Sequence, residues 1–143
     1  MTADAVGGVW NYSLTLARSM ADSGVSYVLA VLGPAPDEAQ TAAAAAIPGL
    51  ELHYHPGNLE WTAGDPWPDV DAAGAWLLGL ARQYRPDLIH LNGYAHAALD
   101  FGAPKVVVAH SCVCSWWRAV HGEPAPAEWN EYRRRAGAGL EEA

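Results

Sequence analysis

The stretch ADAVGGVWNYSL, residues 3 to 14, joins a glycine pair to the first turns of an amphipathic helix. Apolar residues follow Gly7 and Gly8 at three- and four-residue spacing, namely Val9, Tyr12, Leu16 and Met20. A glycine turn that opens a helix offers backbone N–H groups and the positive end of the helix dipole to an anion. Such a turn normally follows a buried strand. Because only Met1 to Ala5 precede it, we expect this segment to supply at most the last residues of that strand.

Length and composition predict one ordinary folded domain that spans residues 1–143. The chain has 143 residues, of which 51% are hydrophobic, and this is enough to build a core. Its formal net charge of -8 argues against nucleic acid or an acidic membrane as a partner of the whole surface. A small ligand is therefore the expected partner.

The two cysteines, Cys112 and Cys114, lie one residue apart and exclude a disulfide framework. The sequence has no signal peptide and no apolar run near the roughly 20 residues of a membrane helix, so we expect a cytoplasmic protein without a transmembrane segment. The spacing of the cysteines and of nearby His110 does not fit a zinc site. We expect neither a metal ion nor a cofactor.

The order of apolar runs and helical patterns predicts an α/β fold with a parallel, Rossmann-like sheet. The expected strands are 25–32, 50–55, 87–92 and 105–110, the last of them the strongest. The expected helices begin at Gly8, at about Asp71 and at about Ala127, and an alanine-rich stretch at 42–46 fits either a short helix or a mobile loop. The loop 56–69 is interpreted either as a ligand loop or as a surface excursion held by Trp61 and Trp67.

Ligands of parallel sheets bind beyond the carboxyl ends of the strands, and several polar and aromatic residues are expected there. His110 ends the last predicted strand and could bind an anion or a sugar hydroxyl, or simply hydrogen-bond to backbone. His90, inside a strand, is interpreted as a core residue. The aromatic candidates are Trp10, Tyr94, Trp116 and Trp117, which could stack on sugar rings or fill the core, and Arg118 could pair with a phosphate or carboxylate.

Three blocks, TADAVGGVWNYSLTLARSM, RPDLIHLNGYAHAAL and KVVVAHSCVCSWWRAVHGEPAP, together resemble the N-terminal domain of family 4 glycosyltransferases, which are retaining enzymes of the GT-B architecture. The resemblance implies a nucleotide-sugar donor whose diphosphate lies near Gly7 and Gly8. It implies that His110 lies beside the transferred sugar and acts in catalysis. It also makes acceptor-binding candidates of Trp10, Asn11, Asn92, Tyr94, Trp116 and Arg118.

Two departures from the family pattern shape the expected function. The first strand is largely missing, and the chain ends before the second domain that holds most donor contacts in the family. We therefore expect half of a GT-B fold, truncated at both ends, that transfers no sugar at an enzymatic rate unless a C-terminal GT-B domain is supplied in cis or in trans. The alternatives are a non-catalytic sugar- or nucleotide-binding module and one half of a split enzyme. A nucleotide-dependent oxidoreductase is disfavoured because the pattern G-x-G-x-x-G is absent.

Overall fold

Five short strands alternate with five α-helices along residues 1–143, all of which are described by a computed structural model. The strands are β1 (Thr2–Asp4), β2 (Tyr27–Leu32), β3 (Leu50–His55), β4 (Ile89–Leu91) and β5 (Lys105–Val107). The helices are α1 (Gly8–Met20), α2 (Glu38–Ala45), α3 (Trp67–Tyr84), α4 (Val113–His121) and α5 (Asn130–Glu141), with 3₁₀ turns at Ala21–Ser23, Ala95–Ala98 and Ala127–Trp129. All paired strands are parallel, which confirms the predicted α/β class.

The first sheet has the order β1-β2-β3, with β2 in the centre. The last four residues of β2, from Leu29 to Leu32, are buried, as expected of a strand that is covered on both faces. Helix α1 lies over this sheet and contributes Trp10, Leu14 and Ala17 to the core around Leu29. The short β1 pairs with β2 through all three of its residues, so the N-terminal segment forms a genuine strand stub.

The second sheet contains only β4 and β5, and no backbone ladder joins β4 to β1. A side chain makes the connection instead. Asn92 follows β4 directly, and its backbone N–H donates to Thr2 Oγ1 at 2.9 Å while its amide Nδ2 donates to the Thr2 carbonyl oxygen at 2.7 Å. The strands of the predicted parallel sheet are therefore present, but their ladder is interrupted between β1 and β4.

Several predicted boundaries need correction. Strand β5 spans three residues rather than 105–110, and it is an edge strand whose Val106 is 38% exposed, so it is not the strongest strand of the chain. The backbone bends after it, where His110 N donates to the Val108 carbonyl oxygen at 3.2 Å. The strands predicted at 25–32 and 87–92 are shortened to β2 and β4, and helix α3 begins at Trp67 rather than at Asp71.

The structure adds two helices to those that the sequence predicts. Helix α4 was not predicted at all. The alanine-rich stretch belongs to helix α2, which starts with a capping box in which Asp37 Oδ1 accepts from Gln40 N and Gln40 Oε1 accepts from Asp37 N. Because the capping box stabilises the start of α2, residues 42–46 lie in or directly after a helix and not in a mobile loop.

Helix α5 closes the fold by packing on the 3₁₀ turn at Ala95–Ala98. Gly139 makes this approach possible, because a Cβ atom at that position would overlap the carbonyl oxygen of Tyr94. Tyr132 and Ala136 of the same helix form a small buried cluster with Tyr94. Helix α5 thus supports the segment that follows β4.

Candidate functional site

A cavity, which we call the main cavity, lies at the carboxyl ends of the strands. Its walls include the last residues of four strands, namely Asp4 of β1, Leu32 of β2, His55 of β3 and Leu91 of β4. Residues that follow strands also line it, namely Gly33, Asn92, His110 and Ser111. The loop 56–61 and the side chains of Tyr94 and Tyr132 complete it. This is the edge at which ligands of open parallel sheets bind.

The lining of the cavity combines carboxylates with three histidines, His55, His96 and His110. Three carboxylates line it, those of Asp4, Glu60 and Asp69, and no Lys or Arg residue does. Doubly charged phosphate groups find no Lys or Arg side chain on these walls. The lining favours a neutral, hydroxyl-rich ligand.

Asn92 is the centre of a hydrogen-bond network in this cavity. Its Nδ2 donates to the Thr2 carbonyl oxygen and, at 3.3 Å, approaches Ser13 Oγ of α1. Its Oδ1 lies 2.9 Å from His110 Nε2 and 3.2 Å from His90 Nε2. The amide therefore ties two strand ends, helix α1 and the exposed His110 together.

The two histidines of this network differ in their surroundings. The His110 ring is exposed and packs edge-on against the Tyr12 ring, with centroids 4.7 Å apart. His90 is half-buried, and this burial lowers its pKa below the ordinary value. His90 is therefore held neutral inside the fold, in keeping with its interpretation as a core residue.

Glu60 is a buried carboxylate that the sequence analysis did not single out. It is 9% exposed, and its two oxygens accept from the backbone N–H groups of Tyr94 at 2.9 Å and Ala95 at 2.8 Å. It fixes the loop after β3 to the segment after β4. The only sequence signal was an acid between Leu59 and Trp61 in an otherwise uncharged part of the loop.

Gly7 and Gly8 lie at the exposed N-terminus of α1. A Cβ atom at either position would meet nothing within 4 Å, and no side chain caps the helix. Asp4 holds the turn by accepting from Val6 N at 3.0 Å. The glycines do not line the main cavity, but the next residue, Val9, does.

One comparison with known proteins identifies the chain. The sequence model of Glycosyltransferase Family 4 matches residues 6–140. The chain belongs to Glycosyltransferase Family 4. No curated protein and no solved structure matches the chain.

The acceptor candidates of this family 4 chain occupy different environments. Trp10 is 5% exposed and fills the core beneath α1, so it is not available to a ligand. Tyr94 is a buried wall of the cavity, and its hydroxyl donates to the Ser111 carbonyl oxygen at 3.0 Å. Asn11 is exposed on α1, while Trp116 and Arg118 are exposed on α4.

Four of the seven tryptophans of the family 4 chain line an apolar groove beside the main cavity. Its lining consists of Trp61, Ser111, Cys112, Val113, Trp116, Trp117 and Trp129, with no charged side chain among them. Trp61 and Ser111 line the main cavity as well. We call this surface the tryptophan groove, and it extends the main cavity past His110 towards α4.

The tyrosines of the cavity wall are held neutral. Burial raises the pKa of Tyr94 and, more strongly, that of Tyr132, whose hydroxyl accepts from Val113 N at 3.3 Å. Both hydroxyls serve structural hydrogen bonds. Neither is poised to act as a base.

No group of three or more His, Cys, Asp or Glu side chains is arranged so that it could hold a metal ion. None of the helices combines the length and the apolar content that crossing a membrane would require.

Proposed function

We propose that this family 4 chain forms the acceptor side of a retaining glycosyltransferase that moves a sugar from a nucleotide-sugar donor to a hydroxylated acceptor. The main support is the cavity at the carboxyl ends of the strands, which has hydrogen-bonding walls and no Lys or Arg side chain. An acceptor sugar is neutral and rich in hydroxyl groups, and such a ligand fits these walls. The donor diphosphate needs positive partners that the cavity lacks.

The backbone at the start of α1 is the place proposed for the diphosphate on this chain. Gly7 and Gly8 leave the first N–H groups of α1 open to solvent, and the helix dipole adds a favourable field. In exposed surroundings such contacts contribute little affinity. The remaining donor contacts are therefore proposed to come from a second GT-B domain, in cis or as a separate chain.

His110 is the proposed catalytic residue. It is exposed at the rim of the cavity, and Asn92 orients its ring from one side while Tyr12 packs on it. An imidazole in this place can hydrogen-bond to a hydroxyl of the transferred sugar. A closed, water-poor cleft strengthens such a contact in the transition state, and closure needs the second domain.

The tryptophan groove is proposed to bind the part of the acceptor that lies beyond the reacting hydroxyl. Trp61 and Trp116 are 46% and 53% exposed, so their ring faces are accessible for stacking on a sugar ring. The indole N–H groups of Trp117 and Trp129 are buried and have no hydrogen-bond partner in the protein, so the stacking contacts are proposed for the exposed rings alone.

The decisive experiment compares the isolated chain with a reconstituted enzyme. Chain 1–143 and a fusion that adds an N-terminal strand and a C-terminal family 4 domain are assayed for acceptor-dependent release of nucleotide diphosphate, with a panel of nucleotide sugars. We expect no turnover above the blank from the isolated chain and measurable turnover from the fusion. In the fusion, His110→Ala is expected to lower kcat/KM by about tenfold or more, the value of a lost oriented hydrogen bond.

Val120→Ala serves as the matched control, because Val120 is exposed on α4 outside the cavity and the groove. Rapid transfer by the isolated chain would overturn the proposed need for a second domain. A folded fusion that binds sugars but transfers none would favour a non-catalytic binding module.

A further inference from the structure

The orientation of the Asn92 amide follows from its partners. The Thr2 carbonyl oxygen can only accept a hydrogen bond, and an atom of the Asn92 amide lies 2.7 Å from it. That atom must be the donor Nδ2. The amide oxygen Oδ1 consequently faces His90 and His110.

This orientation fixes where the proton of His110 sits. Oδ1 can only accept, and His110 Nε2 lies 2.9 Å from it, so Nε2 must carry a hydrogen. A neutral imidazole has one ring proton, which leaves Nδ1 with a free lone pair. No hydrogen bond within the protein reaches His110 Nδ1, and the exposed ring lines the main cavity.

We propose that Asn92 is a positioning residue that holds neutral His110 with its proton on Nε2, so that Nδ1 accepts a hydrogen bond from a hydroxyl of the ligand. The proposal rests on the proposed function for the identity of that ligand as a sugar. The free lone pair on Nδ1 selects hydroxyl donors over groups that only accept, such as phosphate or carboxylate oxygens, because two lone pairs repel each other. A protonated His110 would reverse this preference.

The tautomer is measured directly on chain 1–143 labelled with ¹⁵N. Long-range ¹H–¹⁵N correlation spectra at about pH 8 distinguish a protonated Nε2 from a protonated Nδ1, and His110→Gln assigns the signals. We expect a single Nε2–H form with a slowly exchanging Nε2 proton. In Asn92→Ala the ring is expected to show a mixture of tautomers and to lose that proton signal to exchange with water.

Asn92→Asp is the conservative variant for this test. Its carboxylate keeps an acceptor towards His110, so the Nε2–H form is expected to persist. The variant also separates positioning from folding, because it loses the same two donors to Thr2 and Ser13 that Asn92→Ala loses. A protonated Nδ1 in the wild-type chain, or a tautomer mixture that Asn92→Ala leaves unchanged, overturns the proposal.

The ligand preference is tested with two probes on the same spectra. At about pH 8, methyl glucoside is expected to move the Nδ1 signal of His110, and inorganic phosphate is expected to leave it in place. The opposite result, or no shift with either probe, overturns the assignment of Nδ1 as a hydroxyl acceptor. None of these outcomes depends on sugar transfer, so a failure of the proposed enzymatic function would be seen separately.

Discussion

Helices α1 and α4 both follow a strand and both carry tryptophan, yet they are used in opposite ways. Helix α1 buries Trp10, Ser13, Leu14 and Ala17, whereas α4 buries none of its residues. Trp10 is 5% exposed and Trp116 is 53% exposed.

The position of the preceding strand explains the difference. Strand β1 lies beside the central strand β2, so α1 is placed over the largest core of the molecule. Strand β5 is an edge strand, and α4 after it packs only Val113 and Cys114 at its start against the small cluster of Tyr94 and Tyr132. Tryptophan therefore packs in the core after one strand and lies on an accessible surface after another.

The largest loss of stability is expected for Trp10, the buried tryptophan of α1. Trp10→Ala should lower the free energy of unfolding by about 3–5 kcal/mol, since it removes a large side chain and leaves a cavity under α1. Urea denaturation followed by circular dichroism measures the loss. Trp10→Phe, which keeps an aromatic ring, should lose less, and an equal loss in both variants would contradict a packing role.

A smaller loss of stability is expected at Glu60, which joins the loop after β3 to the segment after β4. Glu60→Ala leaves the buried N–H groups of Tyr94 and Ala95 without their acceptor and should lower the free energy of unfolding by about 2–4 kcal/mol. Glu60→Gln, which keeps one acceptor oxygen, should lose about half as much. Equal stability of wild type and Glu60→Ala in urea would show that this carboxylate does not hold the two loops together.

The smallest effect on stability is expected on α4. Trp116→Ala should change the free energy of unfolding by no more than about 0.5 kcal/mol, because the side chain is mostly in solvent. In the fused enzyme described above, the same variant should raise the KM for the acceptor while Trp116→Phe restores it. A large loss of stability would show that Trp116 packs in the core, as Trp10 does.

The sequence predicted the parts of the fold that depend on local pattern. Strand β3 was predicted with its observed bounds, because a short strand pattern there is flanked by turn residues. The parallel α/β class followed from the alternation of such segments with helices. The predicted length and burial of strand β5 were too large, because an apolar run does not reveal whether a strand has one neighbouring strand or two.

The site was less accessible to sequence reasoning because its contacts are distant along the chain. His110 was singled out as a strand end, but its partner Asn92 lies 18 residues away and could only be named from the family resemblance. Glu60 was missed because its backbone partners lie 34 and 35 residues further on. Whether Trp10 is buried depends on which face of α1 meets the sheet. The sequence pattern allows both a buried ring in the core and an exposed ring that stacks on a sugar.

The side-chain link between β1 and β4 has a consequence for how the molecule opens. Within each sheet, neighbouring strands share a ladder of backbone bonds, but across this boundary Asn92 takes the place of the ladder. We therefore expect amide protons on the two sides of this boundary to exchange with solvent as separate cooperative units, which hydrogen exchange measures. Since the same amide also accepts from His110, an opening that displaces Asn92 removes the hydrogen-bond partner of the imidazole as well.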